Sequence, residues 1–296
     1  MEVVRITPRG YCHGVVEAIR IAKRVGAERA ASEPVTMLGY LVHNEHVTRD
    51  LEASGVALVD EADRMKGLER VREGTVIFTA HGISPAVVEA AKARGLNVVD
   101  ATCSDVTRTH DLVRDLLERG RHVVYIGKRG HPEPAGVLGI DPERITLIES
   151  RDEVDALSFP PDTLLAVTCQ TTLSVWDTKA IIDRLVERFP HIEVHNEICL
   201  ATQERQEAAV LAAHDVDCVV VVGSRRSSNS QRLVQVVREK ANKPAFLVDN
   251  ASELDPAWFH GMQRVGVTAG ASTPTQLTRE VVAAIEALPA PVAAAS

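Results

Sequence analysis

Residues 96–106 read Leu96-Asn97-Val98-Val99-Asp100-Ala101-Thr102-Cys103-Ser104-Asp105-Val106. A short apolar strand pattern over 96–99 runs into a cysteine. A helical pattern follows through Val106, Val113, Leu116 and Leu117, closed by Gly120, a residue type favoured just past a helix end. The same order recurs twice. Cys12 follows an apolar stretch at 3–7 and precedes Val15, Ile19, Ala22 and Gly26; Cys199 follows one at 192–198 and precedes a helical pattern over 202–213. The cysteines are 91 and 96 residues apart, so the chain reads as three repeats of that period.

Each repeat continues alike. A second strand pattern ends in a polar loop: 35–42 leads to His43-Asn44, 123–126 to His131-Pro132-Glu133, and 218–222 to Ser227-Ser228-Asn229. These loops start 31, 28 and 28 residues after their cysteines. A last strand reaches Thr79-Ala80-His81-Gly82, Thr168-Cys169-Gln170-Thr171-Thr172 or Thr268-Ala269-Gly270-Ala271-Ser272. Helix-start signals come next: Ser84-Pro85, Ser174 with Asp177, and Thr273-Pro274. Strands alternating with helices predict parallel sheets with right-handed crossovers, whose ligands gather beyond the carboxyl ends of the strands. The expectation is an α/β fold of three similar units with mainly parallel sheets, in a pseudo-threefold arrangement around a common centre. The units span 14–102, 103–198 and 199–287; the N-terminal strand in 1–13 packs with the repeats, and 288–296, rich in Ala and Pro, forms a frayed tail.

Composition narrows the function. A net charge of −8 with no dense basic block argues against broad nucleic-acid binding, and 3% aromatic residues argue against stacking platforms for single strands. No run approaches the 18 or so apolar residues of a membrane helix. The N-terminus enters a strand pattern at once, without the regions of a signal peptide, which points to the cytoplasm. The five cysteines, at 12, 103, 169, 199 and 218, form no C-x-x-C pair and no plausible disulfide framework.

A cysteine at a helix start feels the positive end of the helix dipole, which favours the metal-binding thiolate. Three matched positions, Cys12, Cys103 and Cys199, suit zinc with an open coordination place or a [4Fe-4S] cluster with one iron left for substrate. Cys169 and Cys218 fall inside strands, lack counterparts, and read as structural. His43, His81 and His131 with Ser227, Ser228, Asn229 and Ser272 offer many donors for a compact anion without a P-loop sequence. The Ser227-Ser228-Asn229-Ser230 run also suits a helix N-cap. Glu133 is the candidate acid or base, since the negative charge of an anionic ligand nearby favours its protonated form, and Thr171 and Thr172 can relay a proton or bind a hydroxyl.

With these blocks assembled, the sequence resembles the 4-hydroxy-3-methylbut-2-enyl diphosphate reductases of the non-mevalonate isoprenoid pathway, an iron-sulfur family. The resemblance runs from Pro8-Arg9-Gly10-Tyr11-Cys12 through Val42-His43-Asn44, Ala80-His81-Gly82, Asp100-Ala101-Thr102-Cys103, His131-Pro132-Glu133, Gln170-Thr171-Thr172-Leu173-Ser174, Cys199 with Ala201-Thr202, and Gly223-Ser224 with Ser227-Ser228-Asn229-Ser230, to Thr268-Ala269-Gly270-Ala271-Ser272. It implies that Cys12, Cys103 and Cys199 hold a [4Fe-4S] cluster with an open iron site, which becomes [3Fe-4S] on iron loss. It implies a diphosphate pocket of His43, His81, His131, Ser227, Ser228, Asn229 and Ser272, with Glu133 as proton source and Thr171 beside the substrate hydroxyl. The products implied are isopentenyl and dimethylallyl diphosphate, and the electron donor an external ferredoxin or flavodoxin. Cys169 stands where the family has threonine or serine, and Pro134-Ala135-Gly136, His13 and Leu200 also depart from its best-known members. Two other readings of the same residues are an iron-sulfur sensor without turnover and a zinc hydrolase of a phosphorylated substrate.

Overall fold

The computed structural model describes residues 1–288 and consists of three four-stranded, all-parallel sheets with their crossover helices. In chain order the elements are β1 (Glu2–Arg5), α1 (His13–Arg29), β2 (Val35–Leu38), α2 (Glu45–Ala53), β3 (Val56–Val59), α3 (Arg64–Glu69), β4 (Thr75–Phe78), α4 (Pro85–Ala93) and β5 (Asn97–Asp100). The second set is α5 (Ser104–Glu118), β6 (His122–Ile126), α6 (Pro132–Leu138), β7 (Ile145–Ile148), α7 (Arg151–Ala156), β8 (Leu165–Cys169), α8 (Val175–Arg188) and β9 (Glu193–Val194). The third is α9 (Leu200–Ala213), β10 (Cys218–Val222), α10 (Ser228–Lys240), β11 (Ala245–Val248), two short 3-10 turns at Ala251–Glu253 and Pro256–Phe259, β12 (Arg264–Ala269) and α11 (Thr275–Glu286).

The sheets have orders β3-β2-β4-β5, β7-β6-β8-β9 and β11-β10-β12-β1. Each therefore repeats one pattern, with the third strand of the unit lying beside the first and the fourth at the edge. In the third sheet the edge place is taken by β1 from the far N-terminus, paired in parallel with β12 from Glu2↔Arg264 to Arg5↔Val267. The chain divides into two compact units. One comprises Met1–Cys12, His43–His46 and the chain from Leu200 onward, and contains the third sheet. The other comprises His13–Val42 and Val47–Cys199, and contains the first two sheets.

Central strands buried on both faces explain the near-continuous apolar runs. In β6, Val124 and Ile126 pack with Val167, Leu185 and Ile181, while Val123 and Tyr125 point the other way against Val113, Leu116 and Val137. In β10, Cys218, Val220 and Val222 join Val267 and Val281, whereas Val219 and Val221 join Ala209 and Leu233. A fully buried valine of this kind contributes about 1.5–3 kcal/mol. No helix among the described residues is long and apolar enough to cross a membrane.

Several expected boundaries move. The strand pattern at 35–42 stops at Leu38, because Gly39 takes a φ of +94°, which breaks the extended backbone. The pattern at 192–198 yields only Glu193–Val194, since beyond it the Glu197 and Ile198 amides find side-chain partners. The third cysteine's helix begins at Leu200 instead of 202, and the last at Thr275 behind Pro274. Of the tail expected over 288–296, Leu288 packs on the third sheet's core and 289–296 lie outside the described residues.

Candidate functional site

Each of the three cysteines stands between the edge strand of one sheet and the helix that opens the next repeat. Cys12 follows β1 and precedes α1; Cys103 follows β5 and caps α5; Cys199 follows β9 and precedes α9. One hydrogen bond recurs at all three. The Cys12 N–H donates to the Ala271 carbonyl, the Cys103 N–H to the Ala80 carbonyl, and the Cys199 N–H to the Thr171 carbonyl, each at 3.1 Å. Those acceptors lie just past the third strand of each repeat, so the backbone itself brings the cysteine to a strand's carboxyl end.

The five cysteines fall into two classes. Cys12, Cys103 and Cys199 are half-buried, while Cys169 and Cys218 are buried inside β8 and β10. Burial pushes the thiols of Cys169 and Cys218 up to about 12, so both keep their protons at neutral pH and are poor ligands. Around Cys103 the chain leaves room for sulfur: a Cβ on Gly14, two residues after Cys12, would lie 2.3 Å from the Cys103 Sγ. His13, Cys103 and Asp105 bring potential ligand atoms within 4.8 Å of one another, with His13 Nε2 3.4 Å from Asp105 Oδ2. Half-exposed sulfurs at matched helix starts, with glycine keeping space beside one of them, fit a thiolate-held metal group.

In the second repeat, His131 caps α6, its Nδ1 accepting the Glu133 N–H at 3.2 Å. A neutral ring that accepts through Nδ1 carries its proton on Nε2, where it can donate to an anion. His81 lies edge-on to it, with ring centroids 5.6 Å apart, and its Nδ1 is 3.2 Å from Thr79 Oγ1. Glu133 is 1% exposed, and its carboxylate accepts the Thr171 N–H at 2.7 Å and the Thr171 hydroxyl at 3.1 Å. Burial raises its pKa to about 7; the two Thr171 donors oppose that shift and the negative Asp105 adds to it. The carboxyl is therefore poised to hold or release a proton near neutrality.

The third repeat answers position for position. Ser227 caps α10, its Oγ accepting the Ser230 N–H at 3.2 Å, so the sequence's N-cap reading holds there. Two residues past each cap stand Glu133 and Asn229. As Glu133 takes the Thr171 N–H, so Asn229 Oδ1 takes the Ala271 N–H at 3.1 Å, and its Nδ2 donates to Thr202 Oγ1 at 3.4 Å. Thr171 and Ala271 are the residues whose carbonyls hold Cys199 and Cys12. Ser228 and Asn229 are buried at the start of the 13-residue α10, a place that favours anions. Ser272 donates to the His43 carbonyl at 3.3 Å. The first repeat differs: the Ala80 N–H goes to the Leu41 carbonyl, and His46 Nε2 sits 2.8 Å from Asp249 Oδ2.

The sequence reading missed a polar group around two of the cysteines. Arg108 on α5 donates from Nε to Glu197 at 2.9 Å and lies 3.6 Å from Asp105, linking the helix after Cys103 to the segment before Cys199. The only signal in the sequence was proximity, Asp105 and Glu197 each being two residues from a cysteine. The Arg205 guanidinium is buried and bonds the Ala201 and Gly10 carbonyls at 2.7 and 2.8 Å, two residues from Cys199 and Cys12.

Residues 3–286 match the LytB protein family model. The 4-hydroxy-3-methylbut-2-enyl diphosphate reductase of Symbiobacterium thermophilum is 54% identical over 286 residues, covering 97% of both chains. That of Brevibacillus brevis is 50% identical over 97% of this chain and 92% of its own. The solved E-1-hydroxy-2-methyl-but-2-enyl-4-diphosphate reductase of Plasmodium falciparum superposes with a TM-score of 0.91 at 31% identity, covering 100% of this chain and 93% of its own. A second solved structure, of (E)-4-hydroxy-3-methyl-but-2-enyl diphosphate reductase, the terminal enzyme of the non-mevalonate pathway, gives 0.66 at 30% identity over 97% and 99% of the two chains. With the match spanning nearly the whole chain and the three cysteine-bearing turns built alike, this chain belongs to the LytB family.

Proposed function

We propose that this chain reduces (E)-4-hydroxy-3-methylbut-2-enyl diphosphate to isopentenyl and dimethylallyl diphosphate in the cytoplasm, with electrons from an external ferredoxin or flavodoxin. The observation that carries the reading is the recurrence of one backbone bond at Cys12, Cys103 and Cys199, in a chain about half identical to named reductases over its full length. In this reading the three thiolates would hold a [4Fe-4S] cluster, which would supply electrons and Lewis acidity toward the substrate's hydroxyl oxygen.

The protein's own residues do the rest. His43, His81, His131, Ser227, Ser228, Asn229 and Ser272 bind the diphosphate through ring N–H, hydroxyl and amide donors and the α10 N-terminus. Thr171 presents its hydroxyl beside the substrate oxygen, and Glu133, bonded to both Thr171 groups, stores the proton that turns a poor hydroxide leaving group into water. The balance is two electrons and two protons in, one C–O bond broken, one C–H bond formed and one water out. Burial of Glu133 favours its neutral form until the proton is drawn away.

Anaerobically prepared protein tests this directly. A brown solution with broad visible absorption that converts the allylic diphosphate to the two isomers under reduced donor is the expected result. A cluster-loaded protein that makes neither product, while a reference reductase turns over in the same vessel, would overturn it.

A further inference from the structure

We propose that Cys169, which binds no metal in this reading, is a positioning residue for Cys199: its thiol takes the place of a backbone rung and so sets the segment that delivers the ligand. The inference rests on the reading of Cys199 as a cluster ligand. Beyond β9 the chain continues alongside the end of β8 in constant register. The His195 N–H donates to the Val167 carbonyl at 2.9 Å, and the Cys199 N–H to the Thr171 carbonyl at 3.1 Å, four residues on in both segments. The rung between them would join the Glu197 N–H to the carbonyl of residue 169. Instead that N–H donates to the Cys169 Sγ at 3.3 Å.

The same thiol donates to Asn196 Oδ1 at 3.4 Å, and that oxygen also accepts the Ile198 N–H at 3.2 Å. One sulfur thus touches or indirectly orders all three residues before Cys199. With the Glu197 amide set in this way, its carboxylate reaches Arg108, on the helix that follows Cys103. The thiol must keep its proton to donate while its lone pair accepts, which its place in the core permits. A hydroxyl can play both parts with a small shift; a methyl group can play neither.

The test compares Cys169→Ala, Cys169→Ser and Cys218→Ala in the full chain, both cluster-free and anaerobically loaded. In the cluster-free protein, hydrogen exchange across 195–199 should be roughly fivefold faster in Cys169→Ala, the size expected of a lost hydrogen bond. In the loaded protein, iron release to a chelator should quicken several-fold and the reduced-state electron paramagnetic resonance line shape should change. Cys169→Ser should recover most of both effects, and Cys218→Ala should match the parent. Unchanged exchange in Cys169→Ala, or a serine variant no better than the alanine one, overturns the proposal. Faster exchange with unchanged iron release also overturns it, because the segment would then not govern the metal. Cys199→Ser in the same assay probes the underlying reading alone: full iron retention there removes Cys199 as a ligand whatever Cys169 does.

Discussion

The second and third repeats build one hydrogen-bonded chain and end it in different chemistry. In both, a helix cap lies 28 residues after a cysteine, and the residue two past the cap accepts a backbone N–H beyond the third strand. In the second repeat that acceptor is Glu133, in the third Asn229. The scaffold asks only for a buried oxygen to satisfy the Thr171 or Ala271 amide, and a carboxylate or a carboxamide serves equally. What differs is what else the group can do. Glu133 titrates near neutrality, whereas Asn229 stays neutral and donates to Thr202. In the first repeat the Leu41 carbonyl satisfies the equivalent amide, and His46, two residues past Asn44, whose Oδ1 accepts its N–H, turns to Asp249. Repeat architecture thus supplies copies of one backbone position with different acceptors, and of Glu133 and Asn229 only the former can titrate.

The largest effect should come from the feature all three repeats share. Replacing Cys12, Cys103 or Cys199 by serine, a harder ligand, should strip most of the iron and lower turnover by roughly 10³-fold or more. Cys218→Ala should leave both unchanged, measured by iron content and visible absorption. Equal losses in Cys218→Ala would erase the distinction between half-buried and buried thiols.

Glu133→Gln makes the second repeat resemble the third. The amide oxygen still accepts the Thr171 N–H, so cluster content and substrate affinity should survive, while turnover falls by roughly 10²-fold. Near-normal turnover with saturating reductant would show that another group is the acid.

The pH dependence sharpens the same contrast. Glu133 is held at about 7 in the folded protein against 4.5 for an ordinary glutamate, so the folded state binds its proton more tightly than the unfolded chain. Its contribution is fully present below pH 4.5 and is lost as pH rises through 7, amounting to about 3 kcal/mol at 1.36 kcal/mol per pKa unit. Unfolding midpoints followed from pH 5 to about 8 should show that loss in the parent and lack it in Glu133→Gln. Turnover should fall above about pH 7 in the parent as the proton leaves.

Asn229→Asp runs the exchange in reverse. The Ala271 amide keeps an acceptor, but a negative charge now faces the proposed diphosphate, so KM should rise by roughly tenfold with the cluster spectrum unchanged. His43→Ala should weaken binding in the same direction. The smallest effect belongs to Thr171→Val, which removes one hydroxyl, leaves the backbone N–H on Glu133, and should cost only a few-fold in turnover. A loss as large as that of Glu133→Gln would mean that the hydroxyl itself carries the proton.

The sequence alone determined the α/β class, the three repeats and the three cysteine turns, because strands buried on both faces must be written as apolar runs, and local spacing carries across a helix unchanged. The equal offsets of His131 and Ser227 were legible for that reason. The strand expected over 192–198 was not, since its alternating Ile192, Val194 and Ile198 carry a strand signal while the Cys169 sulfur and the Asn196 side chain take the amides. Nothing local told that β1 completes the third sheet, for its partner β12 lies more than 250 residues away and their pairing depends on closure of the whole chain. Glu133 could be named from its place beside His131, but its acidity could not: burial raises its pKa against two opposing donors from Thr171, which lies 38 residues on, just past β8. Pattern fixes which face a residue takes, because periodicity is local; partners and protons depend on what packs over it, which only the tertiary structure decides.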